Sequence, residues 1–213
     1  MIDILQGDCR TRLREITPGT VDCVITSPPF WRGPQGSWAA GEIGGEAHPD
    51  AYIKNMIELF AAVRWTLAPT GHVWLVLGEG ARIFGAPEGK PWAIINNLAR
   101  DGWHIAAATA WDDTVVVQLS LFPRREHGCP VPPYNNTLTD RPYAPLSREF
   151  VGQCLETSTL ENDTVLDPCC GSGTVGIMAA DLKRQFIGIE LNAEQAQLAQ
   201  ARVKRYKKLQ EAP

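Results

Sequence analysis

The chain has 213 residues, 44% of them apolar and 21% charged, with a net charge of -4. These proportions exclude an extended disordered chain, and the length accommodates one α/β core carrying a binding insertion. The acidic balance excludes a surface that holds nucleic acid everywhere, because phosphate binding runs on counterion release by Lys and Arg, and leaves room only for a localised basic cleft.

At the amino end, MIDILQGDCR has an acid at its third position and no basic region ahead of an apolar one, and no run of about 18 apolar residues occurs in the chain. The protein is therefore expected to be soluble, in the cytoplasm of a prokaryote or of a viral host. IDILQGD reads as a short strand ending at Gly7-Asp8, and CRTRLREITPGT as a short helix closed by a Pro-Gly turn. VDCVITSPPF is a second strand, rich in β-branched residues. It is broken by two prolines that donate no backbone hydrogen bond and stiffen the bend at Thr26-Ser27-Pro28-Pro29-Phe30. Residues 31–49 are glycine-rich and aperiodic, a long functional loop.

PDAYIKNMIELFAAVRWTLAPTG places Tyr52, Ile53, Met56, Ile57, Phe60, Ala61, Val63 and Leu67 at helical spacing, with Asp50 as the cap and Pro69 to Gly71 as the stop. HVWLVLGE is a continuous apolar run, the pattern of a strand buried on both faces in a parallel sheet. KPWAIINNLARDGW reads as a helix, and HIAAATAWD and TVVVQLSLF as strands. Residues 123–145 are proline-rich and polar, an irregular connection, before LSREFVGQCLETST resumes helical spacing. From Asp163 the order is strand, glycine turn, helix, strand, helix, a βαβ unit at the carboxyl end. The basic run RVKRYKK, 202–208, reads as a solvated helix end. Six cysteines, Cys9, Cys23, Cys129, Cys154, Cys169 and Cys170, lack zinc-like spacing and read as reduced thiols; Cys9 and Cys23 are packing residues, and no metal is expected.

The glycine turn Gly171 to Gly176, GSGTVG, lies between a strand and a helix, with Glu190 at the tip of the next strand. Glycines let the backbone approach a ligand closely, and a carboxylate at the second tip accepts bonds from ribose hydroxyls. Nicotinamide dinucleotides and S-adenosylmethionine both carry that ribose. Asp167-Pro168 ahead of the glycines favours the latter, since an acidic strand tip suits a cationic methionyl amine and repels a pyrophosphate.

TSPPF together with LDPCCGSGT and FIGIEL resembles the β-class amino methyltransferases of DNA, which methylate N4 of cytosine or N6 of adenine. Further matching segments are GDC at Gly7 to Cys9, residues 48–79, APLSREFVGQCL and everything from Asp163 to about Val203. The resemblance implies a doubly wound, mostly parallel seven-stranded Rossmann-like sheet, circularly permuted so that the cofactor-binding βαβ closes the chain, with residues 1–213 as one domain. It implies S-adenosylmethionine as cofactor. Asp8 would bond the adenine amine and Glu190 the ribose; Asp167, Gly171 and Gly173 would line the methionyl side, with Ser172, Thr174 and Asn192 nearby. Pro145 and the helix after it would close over the methionine end. Cys169 stands where the family usually has Phe, and Arg141-Pro142-Tyr143 stands where it has His-Pro.

An exocyclic amine is a poor nucleophile because its lone pair is delocalised into the ring. Methylation needs acceptors that take both N–H protons as hydrogen bonds and aim the lone pair at the sulfonium methyl. Ser27 and the Pro28 carbonyl are those acceptors, Pro28 and Pro29 hold the turn rigid, and Phe30 offers a face for an extruded base. Ser at the first position goes in the family more often with cytosine N4 than with adenine N6, so cytosine is preferred.

Two segments are expected to read DNA: residues 31–49, with Arg32, and residues 123–143, with Arg124, Arg125 and Arg141. DNA is the expected partner, and a homodimer and a cognate restriction endonuclease are further partners the resemblance leaves open. The competing readings are an NAD-dependent oxidoreductase on the same glycine loop, which leaves TSPPF unexplained, a silent cofactor-binding module, and a methyltransferase acting on RNA or a protein amide.

Overall fold

A computed structural model describes residues 1–33, 41–78, 80, 89–111, 114–123, 131–132 and 146–210, with the backbone alone at 111 and 207–210. The strands are β1 (Ile2–Gln6), β2 (Val21–Thr26), β3 (Leu67–Gly78), β4 (His104–Trp111), β5 (Thr114–Ser120), β6 (Thr164–Asp167) and β7 (Gln185–Glu190). The helices are α1 (Cys9–Arg12), α2 (Pro49–Thr66), α3 (Lys90–Arg100), α4 (Arg148–Ser158), α5 (Thr174–Asp181) and α6 (Ala193–Gln210). The strands form one seven-stranded sheet in the order β1-β7-β6-β2-β3-β5-β4. Neighbours run parallel except at β5, which is antiparallel to both β3 and β4. This is the expected mostly parallel sheet, and the β6-α5-β7 unit closes the chain.

Alternation along the strands divides the core into two layers. Val73, Leu75 and Leu77 of β3 face Tyr52, Met56 and Phe60 of α2 and Ile94 of α3, whereas Trp74 and Val76 face Phe150 of α4 and Val175 and Ala199 of α5 and α6. The expectation of a strand buried on both faces therefore holds for β3, although one of its neighbours is antiparallel: burial, rather than strand direction, sets the continuous apolar pattern. Two boundaries differ from the sequence reading. His48 is the N-cap of α2 without a side-chain bond, Pro49 occupies the first turn where its missing N–H costs nothing, and Asp50 lies inside that turn. The helix ends at Thr66, and residues 68–71 enter β3 as an irregularity, seen as the register shift between Val21↔Leu67 and Cys23↔His72.

Strand order positions the site. β2 and β6 are parallel neighbours, with Val24 opposite Leu166, so the turn after Thr26 and the glycine loop after Asp167 emerge side by side. On the other flank of β6, β7 pairs with β1, and the Gly7 N–H donates to the Glu190 carbonyl at 2.9 Å. Ser27, Gly171, Glu190 and Asp8 thus share the carboxyl edge of the sheet, where ligands bind in open α/β folds.

Candidate active site

The three glycines of the loop do different work. Gly171 has φ +50° with open space where a Cβ would stand, so ligand can approach the backbone there. Gly173, at φ +83°, turns the chain into α5, and a Cβ on Gly176 would sit 2.5 Å from the Phe186 ring, so its absence lets α5 pack onto β7. Glu190 holds this loop. Its Oε2 accepts from the Gly171 N–H and its Oε1 from the Asn192 N–H, each at 2.9 Å, which leaves further lone pairs for hydroxyls. Asn192 spends its Oδ1 on the Glu194 and Gln195 N–H groups and so caps α6. Thr174 is buried as the first residue of α5, and the Ser172 carbonyl accepts from Arg202 at 2.6 Å.

Two acids, Asp8 in the cleft lining and Asp167 buried next to lining residue Pro168, are under different physical control. Asp8 caps α1 through the Arg10 N–H at 2.8 Å and receives the Arg10 guanidinium at 3.0 Å and 2.5 Å, and this hydrogen bonding lowers its pKa against partial burial. The same guanidinium donates to the Gly41 carbonyl at 2.7 Å, so Arg10 ties Asp8 to the loop that roofs the cleft. Asp167 is only 3% exposed. Burial pushes its carboxyl up to about 7, and the Cys169 N–H at 3.1 Å pulls the other way. The Thr26 hydroxyl pulls in that direction too, although it is buried without a partner at full hydrogen-bond geometry. Cys169 lies against the Cys9 thiol, a contact that, ahead of desolvation, keeps it protonated. Cys9 and Cys23 are both buried and free, as expected of packing residues.

Between these groups lies a cleft with about 430 Å³ of empty space, part of it open to solvent. Gly7, Asp8, Cys9, Pro168, Cys169 and Glu190 line it, together with Pro29 from the proline turn and Glu42 and Ile43 from the roof. The proline turn therefore faces the glycine-loop cleft. Tyr52, buried on α2, donates its hydroxyl to the Pro29 carbonyl at 3.1 Å. Among the described residues nothing occupies the Ser27 hydroxyl or the Pro28 carbonyl. Phe30 packs against β3, where a Cβ at Gly78 would be 2.2 Å from its ring, and the Trp31 carbonyl is backed as closely by Gly80.

Spacing does not single out Tyr52, Arg10 or Gly78. Tyr52 has the same period as core residues, and the other two act through contacts with distant segments. Arg32 sits in the loop stem at φ +43°, its Nε donating to the Glu46 carbonyl at 3.2 Å. Arg124, Arg125, Arg141 and Pro145 lie outside the described residues.

Residues 125–201 match the family described as DNA methylase, the N6/N4 group. The Type II methyltransferase M.SmaI of Serratia marcescens is 29% identical, over 95% of this chain and 90% of its own. M.XycI of Xanthomonas campestris pv. cyanopsidis, also a Type II methyltransferase, is 28% identical over 94% and 87%. Among solved structures, a Thermus thermophilus protein in complex with S-adenosyl-L-methionine superposes with TM-score 0.73 at 22% identity, over 97% of this chain and 96% of its own. The PvuII DNA methyltransferase, cytosine-N4-specific, does so with TM-score 0.71 at 16% identity, over 97% and 91%.

Proposed function

We propose that this chain is an N6/N4 DNA methylase, as its likeness to that family and to Type II methyltransferases supports, and that it transfers the methyl group of S-adenosylmethionine to N4 of a cytosine flipped out of duplex DNA. The observation that carries the reading is the single cleft shared by Pro29 of the proline turn and by Pro168, Cys169 and Glu190, with the Ser27 and Pro28 acceptors left unspent beside it. The donor set suits the cofactor: acceptors at Glu190 for a ribose diol, a fixed carboxylate at Asp8 for an amine edge, a buried acid at Asp167 for an ammonium, and open backbone at Gly171. Bound S-adenosylmethionine supplies an electrophilic methyl on sulfur.

The chain's residues do the rest. Ser27 Oγ and the Pro28 carbonyl accept the two N–H groups of the target amine and turn its lone pair along the transfer axis. Phe30, immobilised on Gly78, stacks on the extruded base and offsets part of the few kcal/mol that flipping costs. Tyr52 holds the Pro29 carbonyl and with it the direction in which Pro28 points. Residues 31–49 and 123–143, with Arg32, Arg124, Arg125 and Arg141, supply contacts to the flanking DNA. The neutral hydroxyl at Ser27 and the likeness to a cytosine-N4-specific enzyme support cytosine over adenine. The Type II relatives support a companion restriction endonuclease. Incubation with DNA and labelled cofactor, followed by mass spectrometry of the nucleosides, is expected to give N4-methylcytosine; N6-methyladenine would overturn the base assignment, and no labelled nucleoside the whole reading.

Two substitutions test the parts separately. Tyr52→Phe removes one hydrogen bond and is expected to lower turnover about tenfold through misplacement of the turn, with cofactor affinity unchanged in a calorimetric titration. Glu190→Gln keeps an acceptor but replaces the other with a donor facing a backbone N–H. Cofactor affinity is expected to fall by about tenfold or more, at the cost of ~1–3 kcal/mol for an unmatched polar contact, and turnover at saturating cofactor to fall less.

A further inference from the structure

The basic run in α6 is brought to the edge of the sheet that carries the site. α6 crosses the head of α5: a Cβ on Gly173 would meet Val203 and Ala199 at 3.1 and 3.2 Å, and one on Gly176 would meet Val203 at 3.0 Å. This course takes Arg202 past the glycine loop, where its Nη1 donates to the Ser172 carbonyl at 2.6 Å, and brings Tyr206 to the start of α4. There the Arg148 guanidinium stands 5.4 Å from the Tyr206 ring centroid, a contact that orients it without neutralising it. Arg205, one position before Tyr206, is exposed, as is Arg148.

Among the described residues none of these three guanidiniums is paired with a carboxylate. Desolvation, and then the neighbouring Arg148 charge, lowers the pKa of Arg202. In a chain of net charge -4, Arg148 and Arg202 stand close enough to repel each other, with Arg205 exposed about one helical turn beyond Arg202 on α6, and a line of anions relieves that repulsion.

We infer that Arg148, Arg202 and Arg205 form a contact surface for the DNA phosphate backbone flanking the extruded base, separate from the loops that read base edges. The inference rests on the DNA methyltransferase reading above. Arg202 also holds the glycine loop, so the test leaves it in place and uses Arg148→Gln/Arg205→Gln. Binding of a fluorescent 20-base-pair duplex, with S-adenosylhomocysteine present, is measured by anisotropy across a series of KCl concentrations.

The slope of log Kd against log salt is expected to fall by about 2, at ~0.9 per phosphate contact, equally for duplexes of unrelated sequence. Arg148→Lys/Arg205→Lys should keep the slope, and so should Arg14→Gln/Arg100→Gln, which removes the same charge elsewhere. An unchanged slope in the Gln variant, or an equal fall in the Arg14/Arg100 control, overturns the surface. A loss of S-adenosylhomocysteine affinity in the Gln variant would also overturn it, because the anion bound would then be the cofactor carboxylate. If the wild-type protein binds no duplex at all, the DNA reading itself fails and the surface with it.

Discussion

Ser27→Ala is expected to lower the rate of methyl transfer by about 100-fold or more, while the Kd for S-adenosylmethionine stays within about twofold of the parent. The side chain is half-buried, contributes nothing to the lining of the cofactor cleft, and has no partner among the described residues. Removing its hydroxyl therefore breaks no hydrogen bond among the described residues. In the proposed mechanism, what disappears is one of two acceptors that localise the amine lone pair, and the remaining Pro28 carbonyl would fix only one N–H. Removing one preorganised polar group aimed at developing charge typically costs ~10²–10³ in turnover in other enzymes. Single-turnover transfer of a labelled methyl group, run beside calorimetric titration with the cofactor, separates the two effects. Parallel loss of rate and cofactor affinity would remove Ser27 from the acceptor role.

The elements of this site are legible in the sequence where local chemistry forces them. β-branched runs mark β2 and β6, two prolines mark the stop after Thr26, and positive-φ glycines mark the turn after Asp167. Their meeting is legible only through the family resemblance, because adjacency of β2 and β6 is a property of strand order, which spacing does not encode. Tyr52 shows what local reading misses. It has the period of a core residue and it is buried as one, yet its hydroxyl reaches a carbonyl 23 residues earlier in the chain. Asn192 shows the opposite case: placed among cofactor residues by its neighbour Glu190, it spends its side-chain oxygen capping α6. The tail from Arg202 reads as a solvated end because the crossing of α6 over α5 depends on Gly173 and Gly176 packing against Ala199 and Val203.

Asp167→Asn is expected to stabilise the cofactor-free protein at pH 8 and to lower cofactor affinity by about 100-fold, a trade-off between stability and function at one carboxyl. In the folded chain burial holds this group at about 7, whereas in the unfolded chain an aspartate titrates near ~3.9. Folding therefore takes up a proton between those values. The stability contribution of the protonated acid is fully present below about 4 and is lost as pH rises through about 7, a loss of a few kcal/mol. Asn keeps the Oδ1 acceptor for the Cys169 N–H and removes the buried charge, so the variant should melt several degrees above the parent at pH 8, with the gap narrowing towards pH 4. An arriving ammonium reverses the balance. In the proposed site it would pair with the ionised carboxylate, lower its pKa, and drive off the proton held below pH 7. Cofactor affinity of the parent should consequently weaken from pH 7 to pH 5, a window in which an α-amine stays charged, with proton release visible as a buffer-dependent enthalpy. The Asn variant should show neither the pH dependence nor the proton release. A variant that melts like the parent at pH 8 and binds S-adenosylmethionine as tightly would mean that Asp167 is neither strained by burial nor aimed at the methionyl amine.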